Sequence, residues 1–124
     1  MTGKTVLYVE DNEFNRKIVR DLLATTSYRL IEASDGEMGV ATALRETPDL
    51  ILIDIQMPKL SGLEATRMLR ADSKTAHIPI IVITSFALSG DDKKAKDAGA
   101  SAYIAKPYSP RDLLAQIRKL LPET

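Results

Sequence analysis

Leu50-Ile-Leu-Ile-Asp54 decides the fold: four consecutive apolar residues closed by a carboxylate. A strand with one wet face alternates apolar and polar residues, whereas a strand covered on both faces is apolar throughout. The run therefore predicts a central strand of a parallel sheet with helices above and below. Ile80-Ile-Val-Ile83 repeats the pattern and ends in Thr84 and Ser85. Val6-Leu-Tyr-Val9 runs into Glu10 and Asp11, and Tyr103-Ile-Ala105 into Lys106 and Pro107. Tyr28-Arg-Leu-Ile-Glu-Ala33 mixes apolar and polar residues and predicts a strand at the sheet edge.

Helical patterns separate these runs. Phe14, Ile18, Val19, Leu22 and Leu23 share one helical face. Ser34-Asp-Gly-Glu37 has the form of a capping box, and Met38, Ala41 and Leu44 follow at helical spacing until Pro48-Asp49. Ser61-Gly-Leu-Glu64 is a second box, continued by Leu63, Thr66 and Leu69. Ser89-Gly-Asp-Asp92 opens a very polar helix anchored only by Leu88, Ala95 and Ala98, with Gly99 as its C-cap. Its Lys93, Lys94 and Lys96 read as a wet face. Ser109 and Pro110 supply an N-cap and a first-turn proline, and Leu113, Leu114, Ile117, Leu120 and Leu121 form an amphipathic stripe. Strict alternation of strand and helix implies right-handed crossovers. The expected fold is α/β, a flavodoxin-like (βα)5 with a five-stranded parallel sheet in the order 2-1-3-4-5 and helices on both faces.

The 124 residues fit one domain, 1–124, with no output domain expected. A chain 44% hydrophobic and 27% charged folds rather than staying disordered. Its 17 basic residues match its 17 acidic ones, so no basic excess points to nucleic acid. Without cysteine, disulfides and thiolate metal sites are excluded. No apolar run is long enough to span a bilayer and no leader is visible, so no membrane insertion and a cytoplasmic location are expected.

In an open parallel sheet, ligands bind outside the carboxyl ends of the strands. The predicted order makes the first and third strands neighbours and brings Glu10, Asp11 and Asp54 together. Crowded carboxylates repel, and one tends to stay protonated. Lys106 offsets one charge and leaves the balance that a divalent cation supplies. Magnesium suits this better than calcium, since it uses one or two carboxylates plus phosphate oxygens and retained waters. Aspartate can accept a phosphoryl group as a covalent aspartyl phosphate. Asp54 is the expected acceptor, Asp11 with Glu10 alongside the cation holders, and Lys106 and Thr84 the donors to phosphoryl oxygens.

Glu10-Asp11, Asp54-Ile-Gln-Met-Pro-Lys-Leu-Ser-Gly62, Thr84 and Lys106-Pro107 stand in the order and spacing of the receiver domains of two-component response regulators, which the chain resembles over essentially its whole length. The segments 9–15 and 84–91 most resemble single-domain receivers of the bacterial cell-division type, and also receivers fused to hybrid histidine kinases. The resemblance implies phosphorylation of Asp54 by a histidine kinase or histidine phosphotransfer protein. It implies magnesium on Asp11 and on the backbone carbonyl of Gln56. It further implies closure of Thr84 on the phosphoryl group, an inward turn of Tyr103, and a cis Lys106-Pro107 bond. Ser85, expected with Thr84 among the phosphoryl-binding and switch residues, stands where the family most often has alanine, so its hydroxyl is expected to alter phosphoryl access, and Gln56 and Phe86 occupy positions that tune hydrolysis there. The expected output is a change in contacts with a downstream protein target or kinase through the fourth helix, fifth strand and fifth helix, in a monomer.

Each residue alone has an ordinary reading. Asp54 fits a turn, Glu10-Asp11 and Asn12 a helix cap, Thr84 and Ser85 a strand end, Lys106 a solvated loop. Tyr103 fits a strand aromatic, Gly62 close packing, and His77 solvent. Their combination carries the functional reading. One alternative is a binding module that keeps this fold without phosphorylation, although such modules usually lack part of the set. An aspartate-nucleophile phosphatase would want a second acid at position 56, which is glutamine. A flavin carrier would want a hydroxyl-rich phosphate loop where Glu10-Asp-Asn-Glu13 stands.

Overall fold

The apolar runs form a parallel sheet in the computed structural model, which describes residues 3–84 and 91–123. The strands are β1 (Thr5–Val9), β2 (Arg29–Ala33), β3 (Leu50–Asp54), β4 (Ile80–Thr84) and β5 (Ala102–Ala105). The helices between and after them are α1 (Glu13–Leu23), α2 (Gly36–Glu46), α3 (Gly62–Ala71), α4 (Asp91–Ala98) and α5 (Pro110–Leu120). The sheet order is β2-β1-β3-β4-β5 and every pairing is parallel, as expected.

Side chains alternate across a strand, so each central strand feeds two cores. Leu7, Val9, Ile51, Ile53, Ile80 and Val82 pack on one side with residues of α2, α3 and α4. Val6, Tyr8, Leu50, Leu52, Ile81 and Ile83 pack on the other with Val19, Leu23, Leu113 and Ile117 of α1 and α5. Covered on both faces, β3 and β4 are buried along their full length, and β2 lies at the edge.

Two helices turn differently from the hydrophobic pattern. In α1, Val19 and Leu23 are buried, but Phe14 is 70% exposed and Ile18 38%. The inward position of the first turns belongs instead to Arg16, which donates to the Glu10 carbonyl at 2.7 Å and pairs with Glu32. In α2 the buried residues are Gly36, Gly39, Val40, Thr42 and Ala43, while Met38 and Ala41 face solvent. A Cβ on Gly39 would come 2.7 Å from Val9 Cγ2, so the helix lies too close to β1 for a larger residue there. The α2 cap is Asp35, which accepts from the Met38 N–H, and not a box opened by Ser34.

The remaining caps match their sequence signals. Ser61 and Glu64 complete a capping box on α3, and Ser109 caps α5 with Pro110 in the first turn. Gly99, after α4, has φ 104, a conformation open to glycine. Ala95 and Ala98 anchor α4, and Lys93, Lys94 and Lys96 are exposed. The expected contribution of Leu88 and the expected start at Ser89 lie outside the described residues.

Candidate functional site

Register brings the polar strand ends level. Val9 pairs with Ile53, so Glu10 and Asp54 follow side by side; Asp54 pairs with Ile83, and Thr84 with Ala105. The Lys106 N–H donates to the Thr84 carbonyl at 2.7 Å, which ties the end of β5 to that of β4. The Lys106-Pro107 bond is cis, as the resemblance implies.

Glu10, Asp54 and Thr84 are all buried. Lys106 Nζ donates to Asp54 Oδ2 at 2.7 Å and to Glu10 Oε1 at 3.4 Å. Asp54 Oδ1 accepts the Gln56 N–H at 2.9 Å. Glu10 Oε2 accepts the Asn12 N–H at 3.2 Å, and Oε1 accepts the Tyr8 hydroxyl at 3.2 Å. Two carboxylates and one ammonium thus share a buried cleft with a surplus of negative charge.

The protonation pattern follows from that surplus. Burial pushes the Glu10 carboxyl up to about 7, helped by the hydrogen bond and charge of Asp54 and opposed by Asn12 and Lys106. Burial disfavours the Lys106 ammonium, but Asp54 and Glu10 together outweigh it and raise its proton affinity. The folded protein therefore keeps a proton on Glu10 that the unfolded chain releases near 4.5. This contribution to stability is full below about 4.5 and is lost as pH rises through about 7. In EDTA, urea denaturation at several pH values should show wild type losing stability relative to Glu10→Gln across that window. Parallel curves would contradict the assignment.

Not every expected residue joins the cluster. Asp11 sits on the loop after β1 with an exposed side chain. Tyr103 lies opposite Val82 and is half-buried against the α2, α3 and α4 side of the sheet. Gln56 has an exposed side chain, and the resemblance uses only its carbonyl. Ser85 and Phe86 lie outside the described residues. His77 is exposed, as its ordinary reading expects.

Among the described residues no three His, Asp or Glu side chains form a ready cage for a metal. The donors at hand are hard oxygens, the carboxylates of Glu10, Asp11 and Asp54 and the backbone carbonyl of Gln56. Such a sparse oxygen set fits magnesium, which keeps several waters and takes few protein ligands.

Sequence reasoning missed Tyr8 and Arg16. Tyr8 reads as an ordinary core aromatic, yet it shares a strand face with Glu10 two residues later. Gly62 was legible as a packing residue: a Cβ there would strike the backbone carbonyl of Asp54. Its N–H donates to the Ile55 carbonyl at 3.0 Å. Gly62→Ala should cost about 2–3 kcal/mol in urea denaturation, the scale of overpacking against backbone that cannot yield. An unchanged midpoint would show that the loop relaxes freely.

The response regulator receiver domain model matches residues 6–118. The polar-differentiation response regulator DivK of Brucella anthropi is 42% identical over 118 residues, 95% of this chain and 96% of the relative. DivK of Brucella ovis is equally similar. Among solved structures, the receiver domain of sensor histidine kinase PA1611 from Pseudomonas aeruginosa, with magnesium in its active-site cleft, superposes with a TM-score of 0.89 at 35% identity. It covers 96% of this chain and 98% of that one. The chemotaxis response regulator CheY4 of Vibrio cholerae superposes with a TM-score of 0.90 at 29% identity, over 97% of this chain and 100% of that one. In sequence and in fold, the chain belongs to the response regulator receiver family of two-component systems.

Proposed function

We propose that this chain is a stand-alone response regulator whose Asp54 accepts a phosphoryl group from the phosphohistidine of a histidine kinase or histidine phosphotransfer protein. The observation that carries the reading is the buried Asp54 carboxylate held 2.7 Å from the Lys106 ammonium at the carboxyl edge of the sheet. A lone pair on an Asp54 oxygen forms the new O–P bond as the donor's N–P bond breaks. The donor ring enters protonated on its other nitrogen, so that when the bond's electron pair stays on the imidazole nitrogen it leaves as neutral imidazole. Lys106 donates to Asp54 Oδ2 and the Gln56 N–H to Oδ1, so both acceptor oxygens are held in place for the transfer.

The chain's other residues position and neutralise. Lys106, released from Asp54 Oδ2 as that oxygen takes up the phosphoryl group, donates to a phosphoryl oxygen, and the Thr84 hydroxyl serves another. The Gln56 N–H keeps the acceptor carboxylate oriented. Asp11, Glu10, Asp54 and the Gln56 carbonyl would hold magnesium, whose charge offsets that of the carboxylates and the phosphoryl oxygens together.

Movement of Lys106 and Thr84 toward the phosphoryl group pulls on the ends of β4 and β5. Helix α4, whose buried anchors among the described residues are Ala95 and Ala98, is the natural part to shift. Tyr103, half-buried on β5, would turn inward with it. The face of α4, β5 and α5 would then change its affinity for a downstream protein target or kinase. The chain acts as a phosphoacceptor rather than a turnover enzyme, as a cytoplasmic monomer that binds no nucleic acid. Near-complete coverage of DivK relatives of its own length supports a single receiver domain.

Incubation with magnesium and a small-molecule phosphodonor, followed by intact mass measurement, tests this reading. One added phosphoryl group, absent in EDTA, is the expected result. No addition from either the small donor or a phosphohistidine protein would favour the module that keeps the fold without the chemistry.

A further inference from the structure

Tyr8 is completely buried, and a buried phenol needs a polar partner. Its hydroxyl donates to Glu10 Oε1 at 3.2 Å. Tyr108 packs against the same core cluster as Tyr8. Tyr8 and Glu10 are two residues apart and point to the same side of the sheet, so the phenol rises directly under the carboxylate. Glu10 is then gripped from three directions: by Tyr8 from the core, by the Asn12 N–H from the loop after β1, and by Lys106 from the end of β5. Of these, only Tyr8 is a neutral side chain.

We propose that Tyr8 is a positioning residue for the cation site: its hydroxyl fixes the orientation of the Glu10 carboxylate. The inference rests on the receiver reading above and adds a residue that the reading does not use. Partners that orient a metal-holding group commonly change metal affinity 10–100-fold when removed. Glu10 keeps two other donors after Tyr8→Phe, so the expected loss lies at the low end of that range. A hydroxyl that had merely found a partner during folding would affect stability and leave the cation site alone.

The test titrates magnesium chloride, with no phosphodonor, into wild type, Tyr8→Phe, Glu10→Gln and the double variant. Backbone amide signals of residues 11, 56 and 62 report binding, and the remaining spectrum reports the fold. Tyr8→Phe should weaken magnesium binding about tenfold. In the Glu10→Gln background the same change should have less than about a twofold effect, since a residue acting through Glu10 is silent without it. Wild-type affinity in Tyr8→Phe, or an equal loss in both backgrounds, would overturn the inference while leaving the receiver reading intact. Failure of the wild type to bind magnesium would overturn both.

Discussion

Alanine in place of Asp54 is expected to abolish phosphoryl uptake, not merely slow it. The nearest alternative acceptor is Glu10, which is buried, holds its proton up to about pH 7, and is gripped by Tyr8, Asn12 and Lys106. A protonated carboxyl is a poor nucleophile, and its oxygens have no free approach. Asp11 is accessible, but no hydrogen bond from Lys106 reaches it; that ammonium is committed to Asp54 and Glu10. Charge neutralisation and positioning are most of what phosphoryl transfer asks of a protein, so an acceptor elsewhere loses both. Intact mass after incubation with phosphodonor and magnesium checks the prediction. Appreciable phosphorylation of Asp54→Ala would mean that the acceptor has been misassigned.

Replacing Lys106 by methionine should cost stability in a way that depends on both pH and metal. Lys106 bridges the two buried carboxylates, and its removal leaves like charges facing each other with nothing between. Breaking a buried pair by deleting one partner costs about 3–5 kcal/mol. Lys106 is partly exposed, so solvent screening reduces the expected loss to about 2 kcal/mol in metal-free protein at pH 8. Glu10 can relieve the repulsion by taking up a proton, and its folded-state proton affinity already lies above the unfolded value. Such a contribution is present at low pH and lost as pH rises, so the deficit should shrink toward pH 5. Magnesium should restore stability at pH 8, because a cation can occupy the space and charge that lysine vacates. Phosphorylated Lys106→Met should also discriminate poorly between partners, since the ammonium no longer follows the phosphoryl group. Urea denaturation at both pH values, with and without magnesium, measures the first effect. A loss independent of pH and metal would show that Lys106 contributes mainly by packing.

The legibility of this chain differs between sheet and helices. Strands β3 and β4 declare themselves because a parallel strand covered on both faces can contain nothing but apolar residues. Once the strand order is inferred, the residue after each strand must lie at one edge, and Glu10, Asp54, Thr84 and Lys106 follow. Helix rotation was harder to read. Burial in α2 follows Gly39 and Ala43, because closeness to β1 selects small residues over Met38. Burial in α1 yields to Arg16, because a backbone carbonyl at the site needs a donor more than the core needs Phe14. The support of Glu10 by Tyr8 was hidden for a related reason. A tyrosine among Val6, Leu7 and Val9 reads as filling until the strand's alternation is used to ask what its hydroxyl meets.

Borohydride reduction of the phosphorylated protein, followed by peptide mapping, tests the phosphoacceptor assignment most directly. The reagent converts an acyl phosphate to the corresponding alcohol and leaves free carboxylates and phosphate esters untouched. Reduction confined to position 54, and dependent on magnesium during phosphorylation, is the predicted result. A reduced residue at Glu10 or Asp11, or a stable phosphate ester on a hydroxyl, would contradict it.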